Sequence, residues 1–370
     1  RRWLPLLVAS CSTAWSGGVR ADASDAFNFF VVQSAMHDSN VFRLSDNTDA
    51  EAFIGTKARS DTIAMTSAGV LFDKLIGRQL FHASLNGNRV RYNRFTLLDY
   101  DGSDIDASWS WALGSRWRGQ VAVSRNVSLT GFGDFRVPVK SININQRSSY
   151  GVNYLFHPDW SIGMDASRTR SEDSAPQRSA DPFRNDDVAV FLQYQQSDRN
   201  SASLRLRRLD GSFPNRQVTP GGLIDNSYRQ DEIEGGLSWR PSGVSTIDAR
   251  VAKVSRKHAQ VSARDFSGVT GRLGWDWMMS GKTKFNISSR REVGVNDDIL
   301  SSFVLTRGLS FSATWMPTAK ISFQAMLDRR ARSFQGDPVV ALSGLEKRED
   351  KLRVASLSAS YMPITSLQLS

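Results

Sequence analysis

Cysteine is almost missing from this chain of 370 residues: Cys11 stands alone, which rules out a disulfide framework and a cysteine-built metal site. Long apolar runs are missing too. No stretch of eighteen apolar residues follows the N-terminal segment, and the mean hydropathy is −0.35, so the chain is not a helical membrane protein. Glycine-rich phosphate cradles, paired metal-ligand spacings and serine nucleophile elbows are absent. Histidine is scarce, with four in all: His37 and His258 fall near loop ends and His157 in a short turn. Asp297 and Asp298 occupy another loop on the side of His37 and His258. No spacing supplies a general base with an oriented partner and a nucleophile, so no enzyme, cofactor or metal is expected. No Pro-, Ser- or Gly-rich linker divides the chain. The balance of 47 Lys and Arg against 37 acids gives +10, but the charge is dispersed and carries no nucleic-acid signature.

What the chain does have is a beat. Trp239-Arg240-Pro241-Ser242, Trp277-Met278-Met279-Ser280, Trp315-Met316-Pro317-Thr318 and Tyr361-Met362-Pro363-Ile364 are spaced 38, 38 and 46 residues apart. Trp111-Ala112-Leu113-Gly114 and Phe156-His157-Pro158-Asp159 read as earlier members of the series. An aromatic at one fixed end of a repeated hairpin suits a bilayer, because Trp and Tyr settle at the membrane–water interface.

Between these beats the residues alternate. Ile105, Ala107, Trp109, Trp111 and Leu113 interleave with Asp104, Asp106, Ser108 and Ser110. Similar segments run through Val188-Val190-Leu192-Tyr194, Val269-Leu273-Trp275-Trp277 and Ile321-Phe323-Ala325-Leu327. Period-two segments of about ten residues can cross a bilayer as tilted strands. Short turns such as 197–200 alternate with polar loops such as 130–147, 169–186 and 332–351. The expected fold is all-β: an antiparallel transmembrane β-barrel of about 16–18 strands in the bacterial outer membrane, with short periplasmic turns and longer extracellular loops. A soluble β-sandwich or solenoid is the alternative.

Residues 1–21 read as a signal peptide lacking its start, with Val19-Arg20-Ala21 as the cleavage site and 22–370 as the barrel. A rival reading takes Val8-Ala9-Ser10-Cys11 as a lipoprotein box. About seventeen strands are counted, and the chain stops at Gln368-Leu369-Ser370 without a terminal aromatic. Because single-chain barrels have even strand numbers, the expectation is truncation at both ends of a protein of about eighteen strands.

If apolar positions face lipid, their neighbours line the lumen. The basic lumen candidates are Arg118, Arg205, Arg207, Arg250, Arg272, Lys282, Lys284, Arg290, Lys320 and Arg330. The acidic ones are Asp104, Asp106, Asp165, Asp187, Glu232, Glu234, Asp248, Asp276 and Asp328. Ten against nine is not a simple anion-attracting tube. Either these charges pair across strands and brace the wall, or they line a path for a hydrated, anionic polymer. Trp111, Trp239, Trp277, Trp315 and Tyr361 fall on the lipid side as an interfacial girdle, leaving Phe191 as the plainest lumen aromatic.

Several stretches in order resemble the EpsL outer-membrane barrels encoded in exopolysaccharide operons that commonly accompany an exosortase. They are DAFNFFVVQSAMHDSNVFRL (25–44), SDTIAMTSAGVLFDK (60–74), VRYNRFTLLDYDGSDIDASWSW (90–111), DGSFPNR (210–216), YRQDEIEGGLSWRPSG (228–243) and ARDFSGVTGRLGWDW (263–277). The family has two acids before the Asn of its first turn, where this chain has His37-Asp38-Ser39-Asn40. The resemblance implies a part in extracellular polysaccharide export, with polysaccharide, outer-membrane lipid and periplasmic or inner-membrane export components as partners. It implies no catalytic residues. A general or sugar-specific porin, or a non-transporting scaffold barrel, are the alternatives.

Overall fold

The computed structural model describes residues 10–11, 26–132, 138–175, 183–196, 200–212, 217–219, 222–223, 227–260, 262–295, 303–335, 349–364 and 367–369. In chain order the strands are β1 Ser10–Cys11, β2 Phe27–Asp38, β3 Asp61–Ile76, β4 Gln79–Tyr92, β5 Tyr100–Leu113, β6 Trp117–Leu129 and β7 Ile142–His157. Then come β8 Trp160–Asp173, β9 Phe183–Gln196, β10 Asn200–Ser212, β11 Gln217–Thr219, β12 Gly222–Leu223 and β13 Tyr228–Ser242. The last are β14 Ser245–His258, β15 Phe266–Ser280, β16 Thr283–Val295, β17 Phe303–Thr318, β18 Ile321–Gln335, β19 Glu349–Ile364 and β20 Leu367–Leu369.

All but β11 and β12 belong to one 18-stranded sheet. Each strand pairs antiparallel with the next, and β10 pairs with β13 across the small β11–β12 hairpin. Among the described residues no pairing joins β19 or β20 to β1 or β2, so the barrel wall is open along that seam. The connections alternate as expected. Residues 77–78, 114–116, 158–159, 243–244, 281–282 and 319–320 make tight turns at one end, while long connections gather at the other. Gly77 and Gly114 supply the positive φ (61° and 62°) that two of these turns require.

The beat in the sequence corresponds to a repeated turn latch. The Met278 N–H donates to the Val244 carbonyl at 2.8 Å, Met316 N–H to Lys282 at 2.7 Å and Met362 N–H to Lys320 at 2.8 Å. Lys282 Nζ also donates to the Pro317 carbonyl at 2.8 Å, and Lys320 Nζ to that of Pro363 at 2.9 Å. This corrects the expected placement of Lys282 and Lys320 on the lumen wall. Strand register shifts between Met278 and Ser280 and between Trp315 and Thr318, so side-chain parity cannot be carried through the turn.

The strands outrun their apolar pattern. β7 already begins at Ile142, β8 runs to Asp173, β9 begins at Phe183, and β18 and β19 reach Gln335 and Glu349, so the expected polar loops are shorter than alternation suggests. Beyond the hydrocarbon, lipid-facing positions need not be apolar, but the backbone ladder continues. There the outer face carries ion pairs instead, such as Arg168–Asp186 at 2.5 Å and Arg208–Asp231 at 2.8 Å. Above β2–β7 the connections close over a small core of Val41, Phe42, Leu98 and Phe132. The Asp61 carboxylate anchors it by accepting the Arg94 and Phe95 N–H groups at 3.0 and 2.9 Å. The turn after β2 satisfies itself: Asn40 and Leu44 exchange bonds of 2.8 and 2.9 Å, and Arg43 pairs with Asp38 at 2.7 Å.

The two faces differ as the alternation requires. Leu273, Leu309 and Leu357 stand 53%, 55% and 81% exposed on the outer face, whereas Ala252 and Val254 on the other are 4% and 2% exposed. Around the turn-side rim the aromatics form cross-strand pairs: Trp117–Tyr154 at 4.6 Å, Trp160–Tyr194 at 4.9 Å and Trp315–Phe323 at 5.4 Å. Trp277 stacks between Trp275 and Phe285 at 5.7 and 5.6 Å, Trp111 lies across Gly119, and Trp239 and Tyr361 are exposed. Replacing Leu273 or Leu309 by Arg is expected to cost about 2–4 kcal/mol, the depth-dependent penalty for a midplane cation. Ser288→Arg, one residue out of phase, should cost far less; urea unfolding in liposomes measures both.

Candidate functional site

The side chains opposite the lipid face divide into three zones. On β4–β6 the Asp104 carboxylate is held by amides, accepting from Asn88 at 2.7 Å, from Asn86 at 3.4 Å and from Asn126. Asp106 and Arg118 share that face and make no hydrogen bond or ion pair among the described residues.

On β8–β14 the charges interlock. Arg205 Nη2 meets Asp165 at 2.6 Å while its guanidinium lies 5.1 Å from the Phe191 ring centroid. Phe191 itself spreads over Gly163, so this lumen aromatic is pinned in the wall instead of standing free. Arg207 bridges Asp187 and Glu232, the latter at 3.2 Å. Arg256, a position the sequence pattern does not single out, is 2% exposed, donates to Gln230 Oε1 at 2.7 Å and stacks 4.1 Å over Tyr228. Its parity matched the lumen set, but it lies past the last apolar outer residue of its strand, where the pattern fades.

The third zone, on β14–β18, behaves differently. Arg250 stands directly opposite Arg272, and Arg272 directly opposite Arg290. Next in the row is Gly308, across which the Arg290 side chain lies, its Nε 2.9 Å from where a β-carbon would sit. Arg330 closes the row and is paired with Asp328. Arg250, Arg272 and Arg290 have no ion-pair or hydrogen-bond partner among the described residues. Glu234, Asp248 and Glu292 sit one register step away without reaching them. Like charges directly opposite across strands are destabilising, and the three nearby carboxylates temper this row without making contact with any of its arginines. A recess of about 340 Å³ opens between Arg207, Glu234, Arg250, Arg272 and Glu292. Lower on the same wall Lys284 pairs with Asp276 at 3.1 Å.

The histidines do not converge. His37 meets Thr62 Oγ1 at 3.2 Å, His157 accepts the Asp159 N–H at 3.2 Å, and His258 lies 3.4 Å from Asp265. His82, which the sequence did not place, faces Asp73 at 2.7 Å. Among the described residues no cluster of three His, Cys, Asp or Glu could hold a metal ion. Asp297, Asp298, residues 197–199 and all but 10–11 of the proposed signal lie outside the described residues.

No protein-family model matches the chain. No curated protein matches it at a significant level. Solved structures do. The FrpB iron transporter of Neisseria meningitidis superposes with a TM-score of 0.51 at 9% identity, over 90% of this chain and 65% of that one. The fold is that of an outer-membrane β-barrel. With its apolar outer face and aromatic rim, the chain belongs in the bacterial outer membrane. The alcaligin outer-membrane receptor FauA of Bordetella pertussis aligns at TM-score 0.42 and 12% identity over 98% of this chain and 60% of its own. A bacterial polysaccharide outer-membrane secretin aligns at TM-score 0.42 and 10% identity over 91% and 99%. The chain spans less than two thirds of the length of FrpB and of FauA.

Two substitutions separate the paired charges from the unpaired ones. Arg272→Gln removes two like-charge oppositions and should leave stability unchanged or raise it by up to about 1 kcal/mol. Arg207→Gln strands two largely buried carboxylates, Asp187 and Glu232, and should cost about 1–3 kcal/mol. Urea midpoints of the two variants, compared at equal slope, decide it.

Proposed function

We propose that this barrel is a channel that assists the export of an extracellular polysaccharide. The observation that carries the proposal is the arginine row Arg250, Arg272 and Arg290, opposed strand to strand on the lumen face without a partner among the described residues. A hydrated anionic polymer supplies the missing counter-charge transiently. Successive acidic groups exchange along the row, and no tight site forms, because each arginine offers only a solvated contact. The bridged residues Arg205, Arg207, Asp165, Asp187 and Glu232 brace the wall and keep the neighbouring surface close to neutral. Passage is passive, driven by synthesis at the inner membrane and handed across by a periplasmic component. The resemblance to the EpsL barrels belongs to this proposal and supports the same reading.

Deleting the gene should move polymer from the medium to the periplasm. Restoring it with Arg250, Arg272 and Arg290 all changed to Glu should recover barrel assembly but leave secretion reduced at least several-fold. In planar bilayers the same variant should shift the reversal potential in a salt gradient toward cation preference. Secretion unchanged by the deletion contradicts the proposal and favours a small-solute porin; an absence of any conductance favours a scaffold barrel.

A further inference from the structure

The outer face carries a second basic feature, separate from the lumen. Residues at odd positions on β14–β19 face outward: the apolar series Leu273, Leu309, Leu327 and Leu357 shares parity with Arg291, Arg307, Arg329, Lys351 and Arg353. Arg291 lies directly opposite Arg307, and Arg329 directly opposite Arg353. One register step toward the loop end from Arg353, Lys351 shares the row of Arg307 through Ala331. Five cations thus occupy two adjacent rows on four neighbouring strands. Among the described residues the only acid at an outward position of β14–β19 is Glu349. Arg307, Arg329, Lys351 and Arg353 have no ion-pair or hydrogen-bond partner among the described residues; Arg291 donates to the Val269 carbonyl at 2.6 Å.

The same face on β8–β13 treats its cations differently. On β8, β9, β10 and β13 the outward arginines are neutralised within the wall. Arg168 and Arg184 share Asp186 at 2.5 and 2.8 Å, Arg208 meets Asp231 at 2.8 Å, and Arg229 meets Asp210 at 3.0 Å. Among the described residues the β14–β19 sector leaves a block of like charge facing out, and it sets two pairs of arginines directly against each other.

Its depth is informative. Arg307 is eight positions from Trp315, and Arg353 eight from Tyr361. At about 3.4 Å per residue and a tilt near 40°, that is roughly 20 Å above the aromatic rim, close to the far edge of an apolar band about 25 Å tall. The cations therefore sit at headgroup level on the loop side. Beside them Gly271 leaves a shallow groove of about 730 Å³, floored by Val251, Val269, Leu273 and Leu309 and flanked by Arg291, Arg307 and Arg329. An apolar floor below a cationic edge matches an amphiphile with acyl chains beneath an anionic head.

We propose that this sector binds a phosphate-bearing lipid of the loop-side leaflet: Arg291, Arg307, Arg329, Lys351 and Arg353 hold the phosphate groups, and the groove at Gly271 takes an acyl chain. The binding neutralises the opposed arginines and fixes the orientation of this side of the barrel in its leaflet. It does not depend on what passes through the lumen.

The test uses the full chain purified in neutral detergent, with native mass spectrometry as the readout and diphosphorylated lipid A, its dephosphorylated form, phosphatidylcholine and inorganic phosphate as probes. The diphosphorylated lipid should bind at least tenfold tighter than the dephosphorylated form and should survive excess inorganic phosphate. The triple variant Arg307→Gln, Arg329→Gln, Arg353→Gln should lose at least tenfold, while Arg208→Gln, in a paired position on the same face, should not. Equal binding of the two lipid forms, or full displacement by inorganic phosphate, overturns the proposal even if the triple variant fails to fold. Unchanged binding by a folded triple variant overturns it as well.

Discussion

A bilayer offers no water to a backbone amide, so every N–H and C=O that enters it must find a partner in the protein. In this chain that demand is met by lateral pairing of neighbours, and the remaining structure follows from it. Apart from the small β11–β12 hairpin, each strand from β2 to β19 is hydrogen-bonded on both sides to strands adjacent in the sheet. Pairing of chain neighbours needs only tight reversals at one end, which the Gly77 and Gly114 turns and the Met–lysine latches provide. Extended pairing also forces side chains to alternate, which gives one wall two chemically unlike faces.

Those two faces handle cations by opposite means in different sectors. Where an acid stands within reach, the arginine is neutralised inside the wall, as Arg205 and Arg207 are on the lumen side and Arg168 and Arg208 are outside. On β14–β18 both faces instead place arginines opposite arginines: Arg250, Arg272 and Arg290 inward, Arg291 and Arg307 outward. Arg290 and Arg291 are consecutive, so one peptide unit of β16 presents a cation to each side. The local cost of such opposition is small for each pair, yet it recurs, and at both proposed sites its relief is assigned to anions from outside the protein.

Period two was enough to expose the fold class and the aromatic rim, because Trp239, Trp315 and Tyr361 are the last in-phase residues before each turn shifts the register. It also sets Arg250, Arg272 and Arg290 out of phase with the apolar series of their strands. Pairing was not legible: the sequence carries no register, so that Arg205 meets Asp165 while Arg272 meets only arginines became visible once the strands were aligned. Lys282 was misplaced because a bulge before the turn resets parity. Strand ends were misjudged at Ile142 and Asp173, since hydropathy stops alternating where lipid stops while the hydrogen-bond ladder does not. The outward cations Arg307, Arg329 and Arg353 are in phase with the apolar series, so alternation alone gives them no signal beyond that of a lipid-facing position.

The division of each strand into a lipid face and a lumen face is the claim on which both anion sites depend. Nitroxide side chains placed one at a time from Arg307 to Trp315 on β17, in a background with Cys11 replaced, measure it in liposomes through relaxation by oxygen and by a water-soluble nickel chelate. The predicted record alternates: high oxygen access at Leu309, Phe311 and Ala313, high nickel access at Ser310, Ser312 and Thr314, and a turn toward nickel at Arg307. Access that varies smoothly along the strand, or that is in phase for both reagents, would contradict the account.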